Sequence, residues 1–182
     1  IYYPYFSTIL AQEFSHAHHQ YVGISINYLS QALTAFAIAG FLRTTSPHLK
    51  IIAGGGLINS WLHKPDWSDP FQTLFDRCLG GCGEKSLLKY LGADQTGPPK
   101  CLPDYSDFRL DDYLSPGLII PYSSADGCYW NKCKFCPDQV ENNPYEPLTP
   151  ATVQKETHAL NRHHQPQLLH FLDNAIPPAT LR

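Results

Sequence analysis

Gly127-Cys128-Tyr129-Trp130-Asn131-Lys132-Cys133-Lys134-Phe135-Cys136 places three cysteines within nine residues, in a C-x4-C-x2-C run that no further cysteine follows. A closed structural zinc site takes four ligands, and so does an iron–sulfur cluster held by cysteines alone. Three thiolates make an incomplete cage. A cluster held by three leaves one iron open to a substrate or cofactor. Cys128, Cys133 and Cys136 are therefore the candidate metal ligands, and their loop is the first place to look for chemistry.

The flanking sequence sets the loop in an α/β context. Leu118-Ile119-Ile120-Pro121-Tyr122 reads as a strand leading directly into it. Downstream, Thr149 is a good N-cap with Pro150 at the first helical position, and the spacing predicts a helix to about His164. Leu168-Leu169-His170-Phe171-Leu172 follows as a strand ending in Asp173-Asn174. Two consecutive parallel strands joined by that helix form a right-handed βαβ unit. The cysteine loop and Asp173-Asn174 then share the carboxyl edge, where α/β sheets and barrels carry their ligand sites.

The first half alternates strand and helix signals. Tyr21–Ile26 is β-prone, and Ser30 is a candidate N-cap for an alanine-rich helix to about Arg43 whose apolar residues run nearly all the way round. Such a helix must be covered on more than one side. Leu49–Ala53 is a second strand running into Gly54-Gly55-Gly56, and a weaker third covers about 74–79. Gly80-Gly81-Cys82-Gly83-Glu84 then opens a helix through Leu87, Leu88 and Leu91, with Gly92 at its C′ position. This order implies a parallel sheet with its loops at the carboxyl edge. From 93 to 116 the prolines and aspartates predict an extended linker. The expected organisation is thus a domain over 1–95, a linker over 96–116 and a second domain over 117–182.

Composition bounds the function. At 182 residues with 43% hydrophobic and 13% aromatic content, the chain can build a packed core, while 16% charged residues is sparse. A formal net charge of −3 makes no electrostatic case for nucleic acid or an anionic membrane. No apolar run approaches the roughly 20 residues that span a bilayer. The uneven clustering of six cysteines fits metal ligation in a reducing, cytoplasmic setting better than disulfides. With no Met, a first residue Ile1 and an end at Thr180-Leu181-Arg182, the chain is expected to be a piece of a longer protein, silent in catalysis alone.

On the strand 118–122, the loop Gly127–Cys136 and His170-Phe171-Leu172-Asp173-Asn174, the chain resembles the radical S-adenosylmethionine (radical SAM) enzymes. The resemblance implies a partial (β/α) barrel and a [4Fe–4S] cluster on Cys128, Cys133 and Cys136. S-adenosylmethionine (SAM) would chelate the fourth iron and be cleaved reductively to a 5′-deoxyadenosyl radical. It also implies that Phe135 lies near the adenine and that Asp173 and Asn174 meet the polar end of SAM. The usual family spacing is C-x3-C-x2-C; this loop has one residue more in its first gap, resembling members with a cobalamin-type domain in front. The first half resembles that domain, a Rossmann-like cobalamin-binding fold. The implied cofactor edge is Ser25, Gly54, Gly55, Gly56, Gly81, Gly83 and Glu84, with Cys82 where the family commonly has an acidic residue. Cobalamin is thus an optional second cofactor, and no Asp-x-His-x-x-Gly motif is present. Such an enzyme would need a reductant such as flavodoxin or ferredoxin, and its substrate, a small molecule or a peptide, is not readable.

Plainer readings stand beside these. A zinc site with His158, His163 or His164 as fourth ligand, or an electron-transfer cluster, would make the chain a non-catalytic metal-binding module. The sequence holds one C-x2-C clip, Cys133 and Cys136, and no cysteine follows Cys136. Cys78 and Cys82 read as a buried small residue and a turn substitution, and Cys101 has no partner spacing. The His16-Ala17-His18-His19 tract reads as a solvated loop, and Glu84 as a helix N-terminal carboxylate before a ligand contact. Asp173 is balanced between ligand contact and capping the next turn.

Overall fold

A computed structural model of the chain describes residues 2–16, 19–93 and 102–176. It is a mixed α/β structure with small parallel sheets, in two compact units: residues 1–95 with 140–142, and 96–139 with 143–182. Ala17, His18 and Cys101 lie outside the described residues.

The first unit opens with a helical run, α1 Tyr3–Tyr5, a π-helical stretch Phe6–Leu10 and α2 Ala11–His16. Its sheet holds β1 Tyr21–Ser25, β2 Lys50–Gly54 and β3 Arg77–Cys78, all parallel with β2 in the centre. The central place explains the unbroken apolar run: Ile51, Ile52 and Ala53 are all buried, as a strand covered on both faces requires.

Helix α3 Leu29–Thr45 crosses from β1 to β2 and buries Ala32, Ala35, Ala39 and Leu42, a stripe at helical spacing, in the core with Ile51, Ala53 and Phe75. Its wide apolar surface finds cover on two further sides. Phe36 stacks on Phe71 with centroids 4.7 Å apart, and Phe41 meets Phe6 at 5.9 Å. Ser30 is not the N-cap. The helix starts two residues earlier than that cap implies, at Leu29 after Tyr28, because Gln31 reaches back and accepts the backbone N–H groups of Asn27 (2.8 Å) and Tyr28 (3.1 Å).

The third strand is shorter than the expected 74–79. Leu74 and Phe75 turn instead, both backbone N–H groups donating to Phe71 O, and Phe75 is buried among Phe36 and Phe71. Asp76 replaces the missing ladder: its N–H donates to Ile51 O and its carboxylate accepts the Ile51 N–H, each at 2.8 Å. The same carboxylate takes Arg43 at 2.6 Å and Lys50 at 3.1 Å. After β2 comes a helix the sequence does not announce, α4 Gly56–Leu62, and after β3 comes α5 Gly83–Tyr90. Gly92 follows at φ +67°, the left-handed stop expected there.

In the second unit β4 Ile119–Tyr122 pairs in parallel with β7 Leu168–Phe171, Ile119 opposite Leu168 and Tyr122 opposite Phe171. Helix α7 Pro150–His164 joins them, its N-terminus capped by Thr149 accepting the Thr152 N–H at 3.1 Å. Val153 and Leu160, seven residues apart on one helix face, bury against Ile120 and Tyr122. The described part of the expected linker, 102–116, is not a free tether. Tyr105 packs on this core and its hydroxyl donates to Pro121 O at 3.0 Å. Its prolines exclude a long helix, but an extended chain can still dock through one aromatic ring.

Candidate functional site

Strand β4 delivers the chain to a clasp. Ser124, fully buried, donates its N–H and its hydroxyl to Asp173 Oδ1 at 2.9 and 2.8 Å. Asp173 stands just beyond β7, so the clasp joins the carboxyl ends of the two paired strands. Next, β5 Ala125–Asp126 pairs antiparallel with β6 Glu146–Pro147, and Leu148 N–H donates to Ser124 O at 2.8 Å. Residues 127–145 are thereby a closed excursion with both ends tied at the sheet edge. All three candidate cysteines lie inside it.

Gly127 is the one position of the excursion that admits no side chain. Its φ is +66°, and a Cβ there would stand 2.6 Å from Pro144 O. Within the x4 gap Asn131 is left-handed at φ +39°, a conformation Asn tolerates better than most residues. Cys136 N–H donates to Cys133 O at 3.0 Å, putting the last two cysteines on one tight turn. Cys128, Cys133 and Cys136 are free thiols, each partly exposed. Phe135 is 90% exposed, an open aromatic face between two thiols. Lys132 lies 5.1 Å over the Trp130 ring.

Among the described residues, no group of three or more His, Cys, Asp or Glu side chains stands close enough to hold a metal ion. The three thiols therefore share a loop without converging, and His158, His163 and His164 do not join them. The donor chemistry still fits a cluster: three free, accessible thiols on one tied loop. The neighbourhood also reaches Asp173. Partial burial, then Tyr129, Asp173 and Cys128, hold the Tyr145 hydroxyl above the usual phenol range. Tyr129 itself meets Tyr145 edge-on at 5.8 Å.

Asp138, in α6 Pro137–Glu141 right after the last cysteine, is a residue sequence reasoning missed. It is buried at 8% exposure, accepts from Asn174 Nδ2 at 2.5 Å and lies 4.0 Å from Cys136 Sγ. The readable signal is Pro137-Asp138, a helix start placed on the cysteine motif. Ser124 was missed too, since a serine between strand and loop carries no signal of its own.

At the first unit's carboxyl edge β1 and β2 end side by side. Ser25 is paired with Gly54, and the chain returns along the same edge after Cys78. The glycines there already have intrachain reasons. Gly55, at φ +97°, leaves a hypothetical Cβ only 2.7 Å from Ile26 O, and Gly56 N–H donates to Asn27 Oδ1 at 3.0 Å. Gly81, at φ +74°, donates its N–H to the buried Asn59 Oδ1 at 2.9 Å. Gly83 differs, with nothing within 4 Å of its would-be Cβ. Glu84 is exposed in the first turn of α5.

Comparison with protein-family models, with curated proteins and with solved structures yields no match to this chain. No helix among the described residues is long and apolar enough to cross a membrane.

Proposed function

We propose that the chain carries the cofactor-binding portion of a radical SAM enzyme. The observation that supports this reading is the closed excursion 127–145. It is tied by Ser124–Asp173 and β5–β6 at the carboxyl end of β4, and it holds three free thiols and the open Phe135 face. In this reading β4, α7 and β7 are the first unit of a partial (β/α) barrel, and the first unit's sheet is a Rossmann-like piece.

Cys128, Cys133 and Cys136 would hold a [4Fe–4S] cluster as thiolates. When bound, that cluster supplies the electron that cleaves the SAM sulfonium to methionine and a 5′-deoxyadenosyl radical. The chain's own part is to place and shield. Phe135 offers a stacking face for the adenine. Gly127 and Asn131 set the loop path that carries the thiols, and the Ser124–Asp173 clasp holds the loop against the end of β7. A flavodoxin or ferredoxin would supply electrons, and cobalamin at the Ser25, Gly54 and Gly83 edge is a second, optional cofactor.

Anaerobic reconstitution with iron and sulfide tests the reading. The expected product is brown, holds about four irons per chain, and loses them in Cys133→Ala. Addition of SAM should alter the electron paramagnetic resonance signal of the reduced cluster. Stoichiometric zinc, or iron uptake indifferent to Cys133→Ala, would instead make the chain a non-catalytic metal-binding module.

A further inference from the structure

We propose that the carboxyl edge of the first sheet is a binding site whose resident occupant is the chain's own segment Val140–Asn142, held by the buried Asn59, and that a ligand of this edge must displace it. The occupancy stands on geometry alone. The competition rests on the reading of this edge as a cobalamin site.

Asn59 lies in α4, shortly after the end of β2, and is buried at 4% exposure. Its amide joins two backbone groups that are far apart in the chain. Oδ1 accepts the Gly81 N–H at 2.9 Å, just beyond β3, and Nδ2 donates to Glu141 O at 2.7 Å. A backbone N–H only donates and a carbonyl only accepts, so one orientation of the amide serves both. Burial makes the tie hard to release, because a stranded buried amide keeps its desolvation cost.

The Glu141 side chain comes to the same place. A Cβ built on Gly56 would stand 2.5 Å from Glu141 Oε1, so the missing side chain makes room for that carboxylate. Asn142 follows directly after the end of α6, left-handed at φ +52°. Residues 140–142 accordingly count with the first unit, although their sequence neighbours do not. The edge of Gly54, Gly55, Gly56 and Gly81 thus carries a carbonyl and a carboxylate of the chain itself. A ligand approaching Gly56 closely meets the Glu141 carboxylate first. Its apparent affinity is then lowered by the small fraction of time the segment is away.

Cleavage by a glutamate-specific protease at the Glu141–Asn142 bond, followed by fragment mass, reads how often the segment leaves. Proteolysis of an opened site tracks the open population. Asn59→Asp keeps the acceptor for Gly81 and replaces the donor to Glu141 O by a second acceptor. On the cofactor-free chain it should raise this cleavage about tenfold, the scale of one lost polar contact, with cleavage at the exposed Glu84 unchanged. Gly56→Ala suits a helical backbone but drives a methyl into the carboxylate, and cleavage should rise about threefold, the low end of that scale. It decides the occupancy if Asn59→Asp does not fold. Wild-type rates in every folded variant, or a rise shared equally by Glu84, overturn the occupancy.

Hydroxocobalamin tests the competition. Its affinity should rise in Asn59→Asp by the same factor as the cleavage, and its addition to the wild type should speed cleavage at Glu141. Cobalamin bound equally by both chains, or bound by the wild type with no gain in cleavage, overturns the competition. Cobalamin bound by neither, with cleavage faster in Asn59→Asp, upholds the occupancy and overturns the cobalamin reading of the edge.

Discussion

Asp173 holds Ser124 through both of its hydrogen-bonding groups, the N–H at 2.9 Å and the hydroxyl at 2.8 Å, with Ser124 fully buried. A residue balanced in the sequence between ligand contact and capping is thus an intrachain tie between the ends of β4 and β7. Asp173→Ala strands two buried donors that had an ionised acceptor, so the second unit should lose about 3 kcal/mol. Ser124→Ala removes only the hydroxyl bond and should cost about 1.5 kcal/mol. Urea unfolding followed by Trp130 fluorescence reads both. Equal stability of Asp173→Ala and wild type would return Asp173 to the role of a free ligand group.

Asp76 makes the first unit's stability depend on acid. Burial pushes its carboxyl up, but the Ile51 N–H, Arg43 and Lys50 outweigh that and bring it from 3.8 down to about 2. The folded value lies below the unfolded one, so the stabilisation is fully present above about pH 4. It drains away as pH falls toward 2. Asp76→Asn should flatten the stability profile of the first unit across that window, read by acid titration of its circular dichroism. A profile as steep as wild type would assign the acid sensitivity to other carboxylates.

The glycines of the first edge separate fold from ligand. Gly55→Ala should destabilise by about 1–3 kcal/mol whether or not anything binds, because φ is +97° and the Cβ meets Ile26 O. Gly83→Ala meets nothing, starts a helix, and should leave stability within about 0.5 kcal/mol. Only Gly83→Ala therefore reports on cobalamin. If the cofactor's backbone approach is close there, retention of cobalamin on gel filtration should drop in this variant, and unchanged retention would remove Gly83 from the site.

Phe135 at 90% exposure contributes little to folding. Phe135→Ala should keep the unfolding midpoint, keep iron uptake, and weaken SAM binding by about 1–3 kcal/mol, the worth of one stacking face for a base. Isothermal titration of the reconstituted chain measures it. A variant that binds SAM as wild type does would leave the ring without a part in the site.

Local signals carried the elements with strong periodicity or caps. The Thr149-Pro150 start made α7 readable to its first residue, and the run 118–122 announced β4, because a cap or a β-branched run acts within a few residues. What failed was decided by contacts far apart in the chain. The third strand shrank to two residues because Phe75 found Phe36, thirty-nine positions earlier, a better partner than a ladder. The helix start moved to Leu29 because a Gln side chain, not a hydroxyl, met the free N–H groups.

By itself the sequence determined the alternating elements, their parallel sense, and the presence of three thiols with an aromatic between them, all properties of spacing along one chain. Only the tertiary structure decided what those residues do for one another. Ser124 and Asp173 are forty-nine residues apart, and Asp138 and Asn174 thirty-six, so neither pair exists until β4 and β7 lie side by side. Hydrogen bonds need atoms within about 3 Å, and that proximity is a property of the folded sheet edge.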